Sequence, residues 1–196
     1  MLFRSLSGWR PDLPFFDPLC GSGTLPLEAS LQGLNIAPGL FRGRFGFETW
    51  LDFDQALWNQ LRQEATMSQQ QQLQAPIFGS DRDLAAIRLA QSNAKQCGVD
   101  RQVQFWVAEL AEVEAPAPGG ILLCNPPYGE RLGQDGELGA FYKLLGDVLK
   151  QRFKGWTAFI LSGNKALAKT IGLKSSQRIP LENGSIPCQL MKYELY

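Results

Sequence analysis

The chain has 196 residues, enough for one domain, and 19 basic side chains balance 19 acidic ones. Zero net charge disfavours a domain that holds long nucleic acid by itself, because such binding usually relies on a basic surface. The chain also lacks histidine, which excludes a Ser-His-Asp triad, a histidine general base and a His-ligated metal site.

The four cysteines are far apart and show no C-x-x-C spacing: Cys20, Cys97, Cys124 and Cys188. We therefore expect no thiolate metal site and no bound metal. Free cysteines suit a reducing compartment, so the sequence predicts a cytoplasmic protein. No apolar run approaches the ~20 residues of a membrane span, and we expect no membrane partner.

Apolar runs typical of buried strands alternate with helical patterns along the chain. The predicted strands are 13–19, 77–80, 103–107, 121–124 and 157–161, and the predicted helices are 24–34, 54–66, 84–96, 138–153 and 165–171. We expect Thr24 to cap the first helix. This alternation predicts a parallel α/β sheet. Near the C-terminus, Asn183-Gly184 between two alternating apolar runs predicts an antiparallel hairpin.

Residues 35–75 do not fit that alternation, since glycines and aromatic residues interrupt them. We interpret them as an insertion between the first helix and the second strand, within one domain that covers residues 1–196. Residues 41–45, Phe-Arg-Gly-Arg-Phe, have two interpretations. They contact RNA through phosphates and stacking, or they form a covering loop whose phenylalanines pack on the sheet.

The first candidate ligand loop, residues 17–24, follows the first strand with the sequence Asp-Pro-Leu-Cys-Gly-Ser-Gly-Thr. Glycines at such a turn allow the backbone to approach a ligand, and open α/β sheets bind ligands beyond the carboxyl ends of their strands. Asp17 is placed to pair with a cationic group. The loop is neither G-x-G-x-x-G nor a P-loop, and a tight turn without a ligand is the alternative.

The second candidate loop begins where the second strand ends, at Ser80-Asp81-Arg82-Asp83. An acidic residue in this position accepts hydrogen bonds from the ribose hydroxyls of a nucleoside cofactor, and we expect Asp81 to do so. Asp83 is then the candidate cap of the next helix. The alternative is a pair of helix-capping residues without a ligand.

The third motif, Asn125-Pro126-Pro127-Tyr128, follows the fourth strand. Its prolines remove two backbone donors and restrict the chain, so that the side-chain oxygen of Asn125 and the carbonyl of Pro126 can accept both hydrogens of a planar amino group. Tyr128 offers a ring on which a base stacks. Such a site works by alignment and charge placement and requires no histidine. A rigid loop without a ligand is the alternative.

Together, the first and third motifs resemble amino-directed methyltransferases that use S-adenosylmethionine. A longer string at 125–133, Asn-Pro-Pro-Tyr-Gly-Glu-Arg-Leu-Gly, resembles THUMP-containing 23S rRNA guanine-N2 methyltransferases, which have also been described as N6-adenine-specific DNA methylases. Ile-Ala-Pro-Gly at 36–39, Phe-Glu-x-Trp at 47–50, residues 181–184 and Cys188 extend this resemblance over nearly the whole chain.

The resemblance implies a Rossmann-like class I fold, with a mostly parallel seven-stranded sheet and a C-terminal antiparallel hairpin. It implies S-adenosylmethionine as cofactor and guanine N2 of 23S rRNA as target. The implied cofactor-binding residues are Asp17, Pro18, Cys20, Gly21, Ser22, Gly23, Thr24, Asp81, Glu109 and Asn125, where Glu109 occupies a position at which Asp is more usual. The implied catalytic residues are Asn125, Pro126, Pro127 and Tyr128.

Glu130 and Arg131 also belong to the resembling string, and Arg131 is a candidate phosphate contact. Members of the family carry an RNA-binding region ahead of the methylase. We therefore expect the grip on rRNA to come from a domain absent from these residues, and this domain alone to bind rRNA weakly.

Four other functions are compatible with parts of this pattern. Asn-Pro-Pro-Tyr also occurs in adenine-N6 DNA methyltransferases and in protein glutamine methyltransferases, so the motif alone does not choose the substrate. A non-catalytic α/β binding module would retain the fold without the chemistry. A nicotinamide-dependent oxidoreductase is disfavoured by the glycine pattern and by the terminal hairpin.

Overall fold

Seven strands form one sheet in the computed structural model of the chain, which describes residues 5–128 and 135–196. The strands are β1 Phe15–Asp17, β2 Ile77–Asp81, β3 Val103–Val107, β4 Gly120–Cys124, β5 Trp156–Ser162, β6 Gln177–Asn183 and β7 Ile186–Glu194. The main helices are α1 Thr24–Gly33, α2 Gln55–Met67, α3 Leu84–Gln96, α4 Asp135–Arg152 and α5 Lys165–Thr170. Among the described residues, none of the helices is long and apolar enough to cross a bilayer.

The strand order is β3-β2-β1-β4-β5-β7-β6. The first five strands pair in parallel, whereas β7 runs antiparallel to both β5 and β6. The predicted mostly parallel sheet with a C-terminal antiparallel hairpin is therefore confirmed. In such a sheet, β1 lies between β2 and β4, and the loops that follow these three strands emerge side by side.

Helices cover both faces of the sheet. One buried cluster joins the sheet to α1 and α3, and the other joins it to α4 and α5. Phe16 of β1 has no exposed surface and stacks between Trp106 and Phe153, with ring centroids 5.5 and 5.8 Å away. A strand buried on both faces in this way is typical of parallel sheets.

Strand β1 is shorter than the predicted strand 13–19. Pro14 and Pro18 flank its three residues, and proline cannot donate a backbone hydrogen bond to a neighbouring strand. The apolar run extends past these prolines, whereas the regular pairing of β1 with β2 covers only Phe15–Asp17.

The terminal hairpin turns one residue later than the sequence pattern suggests. Asn183 is the last residue of β6 and pairs with Ile186, so the two residues of the turn are Gly184 and Ser185. Gly184 takes the positive φ of the turn, at 64°. Two-residue hairpins with glycine in the first central position follow the same pattern. Asn183 therefore remains in extended strand conformation.

The segment between α1 and β2 contains two 3-10 turns, Pro38–Phe41 and Gly46–Thr49, followed by α2. The Asp54 side chain caps α2 by accepting a hydrogen bond from the Leu57 N–H at 2.9 Å. Gln70 N–H donates to Leu34 O at 2.7 Å, which brings the end of the segment back beside the end of α1.

Aromatic residues of this segment pack on α2. One interpretation of residues 41–45 instead placed their phenylalanines on the sheet. Phe45 and Phe47 pack against Trp58 of α2, with centroid distances of 5.6 and 5.0 Å. The expectation that the phenylalanines of residues 41–45 pack on the sheet is therefore wrong: Phe45 packs on α2, and Phe41 is 49% exposed and lies outside the buried clusters. Trp50, 67% exposed, lies at the edge of the same aromatic group.

Helix α4 approaches α5 closely at Gly146, and this contact generates a stability prediction. A Cβ atom at Gly146 would overlap the backbone carbonyl of Ile171, whereas a Cβ at Gly139 of the same helix would meet no atom within 4 Å. We expect Gly146→Ala to lower the free energy of unfolding by about 1–3 kcal/mol or more, because overpacking separates the two helices.

Gly139→Ala is the matched control, and it should raise that free energy by about 0.5–1 kcal/mol because alanine favours the helix. Urea denaturation of both variants measures the difference. Equal stabilities would contradict the close approach of the two helices.

Candidate active site

The candidate loops of the sequence meet at the carboxyl edge of the sheet. β1 ends at Asp17, β2 ends at Asp81 and β4 ends at Cys124, and the three strands are immediate neighbours. Phe16 aligns with Leu122 of β4, so Asn125 follows the strand end only a few residues beyond the level of Asp17. The structure thus brings together motifs that are more than one hundred residues apart in the sequence.

Backbone hydrogen bonds fix the glycine loop against the end of β2. Cys20 N–H donates to the carbonyl of Ser80 at 2.9 Å, and Gly21 N–H donates to Oδ2 of Asp81 at 2.9 Å. Asn93 of α3 holds the other side of the loop by donating to Ser22 O at 3.0 Å. The loop is therefore preorganised by groups from two other elements.

Gly23, not Thr24, is the capping residue of α1. It adopts a left-handed conformation with φ 83°, and no side chain caps this helix end. The expectation that Thr24 caps the helix is wrong, because the helix already includes Thr24. A Cβ at Gly23 would lie 3.0 Å from Ala90 Cβ and from Phe105 Cζ, so the close approach of α1 to its neighbours also requires glycine here.

Asp17 is a buried carboxyl group, 2% exposed, whose Oδ1 accepts a hydrogen bond from Leu19 N–H at 3.0 Å. Burial raises the pKa of Asp17 to about 8; the Leu19 hydrogen bond opposes this rise, and the negative charge of Asp81 adds to it. The ion pairs within the described residues lie elsewhere in the chain. Desolvation disfavours the ionised form, and a cation bound beside Asp17 would favour it.

Asp81 and Asp83 make different hydrogen bonds at the end of β2. Asp83 caps α3 by accepting a hydrogen bond from Ala85 N–H at 2.8 Å, which confirms its predicted capping role. Asp81 accepts from Asp83 N–H on Oδ1 and from Gly21 N–H on Oδ2. A carboxylate has about four acceptor sites, so Asp81 retains capacity for further donors such as ribose hydroxyls.

The segment after β3 is joined to the same edge. Ala108 N–H donates to the backbone carbonyl of Asp81 at 3.0 Å, and Glu109 follows with its side chain exposed. Glu109 precedes a 3-10 turn, Leu110–Glu112, and makes no capping bond to it. The carboxylate of Glu109 is therefore free of the capping role that occupies Asp83.

Two buried thiols adjoin Asp17 and remain protonated. Burial raises the pKa of Cys20 and of Cys124 well above the ordinary thiol value, and the charge of Asp17 adds to both shifts. The nucleophilic form of cysteine is the thiolate. The protonated form makes both cysteines unsuited to act as nucleophiles.

The Asn-Pro-Pro-Tyr motif alternates in exposure after β4. Asn125 and Pro127 are exposed, Pro126 is buried, and Tyr128 is half-buried. The exposed Asn125 side chain is thus available at the same edge as the glycine loop. Glu130 and Arg131, named above as part of the longer string, lie outside the described residues.

Sequence reasoning missed one contact of this motif. Asn183 Nδ2 of the terminal hairpin donates to the hydroxyl of Tyr128 at 2.7 Å. Sequence patterns placed Asn183 in the hairpin turn and in the family-resembling string at 181–184, and no local signal joins it to Tyr128. Among the described residues, no group of three or more histidine, cysteine, aspartate or glutamate side chains could hold a metal ion.

The sequence matches the family UPF0020, described as RMKL-like, methyltransferase domain, over residues 2–192. The chain belongs to this family. A protein of Synechocystis sp., provisionally named an RNA methyltransferase, is 56% identical over 98% of this chain and 50% of its own length. The ribosomal RNA large subunit methyltransferase K/L of Syntrophotalea carbinolica is 40% identical over 96% of this chain and 28% of its own length. The chain thus spans half or less of these curated relatives.

A solved structure supports the same assignment of this methyltransferase domain. SMU.472, a provisionally named methyltransferase crystallised with S-adenosylhomocysteine, is 36% identical with a TM-score of 0.91. The match covers 98% of this chain and 51% of that one. The predicted Rossmann-like methyltransferase fold is therefore confirmed. The roles of the individual site residues stay predictions.

The buried carboxyl of this methyltransferase domain predicts a pH-dependent stability. The folded chain holds the Asp17 proton more tightly than the unfolded chain, because the pKa rises from 3.8 to about 8 on folding. The contribution of Asp17 to the free energy of unfolding therefore falls as the pH increases through this interval and levels off above it. Asp17→Asn cannot ionise but can still accept the Leu19 hydrogen bond, so its stability should lack this decline.

Urea denaturation at pH 5 and pH 8 provides the measurement, and Asp100→Asn, at an exposed turn, controls for the change in net charge. We expect the advantage of Asp17→Asn over the unmodified chain to be larger at pH 8. If the free energies of unfolding of Asp17→Asn and of the unmodified chain changed in parallel with pH, Asp17 would not have a raised pKa in the folded chain.

Proposed function

We propose that this chain transfers a methyl group from S-adenosylmethionine to an exocyclic amino group of an RNA base, with guanine N2 of 23S rRNA as the target. The observation that carries the proposal is the position of Asn125-Pro126-Pro127-Tyr128. This motif leaves the strand next to the one that ends in a buried carboxyl group and a fixed glycine loop. An amino-group acceptor and a nucleoside-binding loop thereby share one edge of the sheet.

The residues at this edge fit a cationic nucleoside cofactor. Asp17 is buried without an ion-pair partner among the described residues, and a ligand cation would stabilise its charge. Asp81 retains acceptor capacity for ribose hydroxyls, and the exposed Glu109 is the candidate for the adenine edge. The remaining candidate lining residues are Pro18, Cys20, Gly21, Ser22, Gly23 and Thr24.

S-adenosylmethionine supplies an electrophilic methyl group when bound. The chain's own contribution is to hold the acceptor nitrogen in line with that group. The side-chain oxygen of Asn125 and the carbonyl of Pro126 accept the two amino hydrogens, which fixes the orientation of the nitrogen and raises its electron density. Tyr128 supports the plane of the base. The methylated nitrogen then loses one proton, and water at the exposed Asn125 edge receives it.

Two relatives support RNA as the substrate class. The Syntrophotalea carbinolica protein is named for the large-subunit ribosomal RNA, and the Synechocystis protein is named for RNA. The net charge of zero supports a division of labour in which a region outside these residues grips the RNA. The four free cysteines support a cytoplasmic location.

The proposed role of Asn125 predicts a selective loss of turnover. Asn125→Ala removes an acceptor for the amino group, so the methyl-transfer rate should fall about 100-fold or more, within the range seen when a preorganised polar group is removed. The affinity for S-adenosylmethionine, measured by calorimetry, should change less than about 3-fold because cofactor binding depends mainly on other loops.

Asn59→Ala, an exposed substitution on α2, is the matched control and should retain the rate. An Asn125→Ala protein with the unmodified rate would show that the mechanism is wrong.

The proposed substrate class is tested by comparing methyl transfer to three kinds of acceptor. Transfer of tritiated methyl groups is measured to unmethylated large-subunit rRNA, to unmethylated DNA and to a release factor that carries an acceptor glutamine. We expect incorporation into rRNA, and nuclease digestion should recover the label as N2-methylguanine. Label in N6-methyladenine of DNA, or in the release factor, would show that the proposed RNA substrate is wrong and that the proposed transfer of a methyl group to an amino nitrogen is right.

Cofactor binding without transfer to any of these acceptors would contradict the proposed set of substrates. Failure to bind S-adenosylmethionine at all would favour the non-catalytic binding module.

A further inference from the structure

The hydroxyl of Tyr128 is anchored by the terminal hairpin. Asn183 Nδ2, at the end of β6, donates to it at 2.7 Å, and Cys188 Sγ, on β7, lies 3.6 Å away in hydrogen-bonding geometry. These partners follow Tyr128 by 55 and 60 residues. The last residue of the Asn-Pro-Pro-Tyr motif is therefore held by the C-terminal hairpin, which is separated from β4 by β5 alone.

One side of the Tyr128 ring is also closely packed. A Cβ atom at Gly163, just after β5, would lie 2.8 Å from Cδ2 and 2.9 Å from Cε2 of the ring, and 3.0 Å from Ile186 Cγ2. The absence of a side chain at Gly163 thus provides the space that the ring occupies. Tyr128 is nevertheless only half-buried, so part of its side chain stays exposed.

The hairpin does not require asparagine at position 183. Gly184 takes the positive φ of the turn, and Asn35 is the one non-glycine residue with positive φ among the described residues. Asn183 sits in β6, paired with Ile186, and asparagine is disfavoured in strands. The contact that distinguishes its side chain is the hydrogen bond to Tyr128.

We propose that Asn183 is a positioning residue, which holds the Tyr128 ring in the orientation needed to support the methyl-accepting base. An unanchored tyrosine on a loop would populate several side-chain rotamers, and each binding event would then have to select one of them. Anchoring the hydroxyl removes the entropic cost of selecting one rotamer and fixes the plane on which the base stacks. This inference rests on the proposed function, because it assigns Tyr128 to the acceptor base.

The anchoring is tested first without any RNA. The chain contains four tyrosines, so incorporation of 3-fluorotyrosine gives few fluorine signals, and Tyr128→Phe identifies the one from Tyr128. Burial raises the pKa of Tyr128, and the Asn183 hydrogen bond lowers it. Asn183→Leu, similar in size but without a donor, should therefore shift the Tyr128 signal and raise its pKa further. Asn59→Leu on α2 should do neither.

The effect of the Asn183–Tyr128 contact on catalysis is tested by a double-mutant cycle. The rate of methyl transfer to an unmethylated transcript of large-subunit rRNA is measured in a single turnover. Asn183→Leu should slow transfer about 3- to 10-fold, the effect of one lost hydrogen bond, while affinity for S-adenosylmethionine stays the same. In the Tyr128→Phe background, Asn183→Leu should cause no further loss, because the hydroxyl through which it acts is already gone. Gly163→Ala displaces the ring by another route and should also slow transfer.

Equal losses in both backgrounds, or an unchanged rate in Asn183→Leu, would overturn the inference. The inference would also be overturned if Asn183→Leu changed neither the fluorine signal nor the pKa of Tyr128. If the unmodified chain methylates none of the RNA transcripts, the proposed function fails, and the fluorine titration still decides whether Asn183 anchors Tyr128. Thermal unfolding of each variant separates a loss of positioning from a loss of fold.

Discussion

Strand β1 is three residues long, and its parallel pairing with β2 on one side and β4 on the other sets the relative position of the three candidate loops that follow these strands. Parallel strands end at the same edge of a sheet, so the loops that follow Asp17, Asp81 and Cys124 emerge together. The strand can be this short because it is buried on both faces and its neighbours hold it along its whole length. Phe15 and Phe16 have no exposed surface.

The site that results is built mainly from backbone donors and carboxyl acceptors. The Asp81 side chain receives two backbone N–H groups and thereby fixes the glycine loop, while Asp17 lies buried next to it with a raised pKa. The adjacent thiols, Cys20 and Cys124, stay neutral. An edge with one buried carboxyl group and protonated thiols suits the proposed cationic ligand and offers no cysteine nucleophile, which agrees with alignment as the proposed source of catalysis.

The terminal hairpin forms one edge of the sheet and also contacts the Asn-Pro-Pro-Tyr motif. Its antiparallel strand β7 pairs with β5, which brings Asn183 and Cys188 beside the loop that follows β4. The hairpin thus contacts Tyr128 at the candidate active-site edge. The insertion between α1 and β2 differs in this respect, since its aromatic residues pack on α2 and its end is bonded back to Leu34.

The sequence by itself determined the elements whose signals are local. Helix α3 matches its predicted bounds of 84–96, strand β3 matches 103–107, and each predicted ligand loop follows the strand that was expected to precede it. Periodicity, glycines and prolines act over a few residues, so these features can be predicted without knowledge of the fold. The family resemblance rests on the same short strings.

Only the tertiary structure decided the features that depend on residues far apart in the chain. The raised pKa of Asp17 requires burial by several elements, and the packing of Phe45 on Trp58 requires the fold of the insertion. Likewise, Asn183 and Tyr128 are joined only because β7 inserts between β5 and β6. Burial and nonlocal hydrogen bonds arise from how strands are ordered in the sheet, and no local pattern of residues records that order.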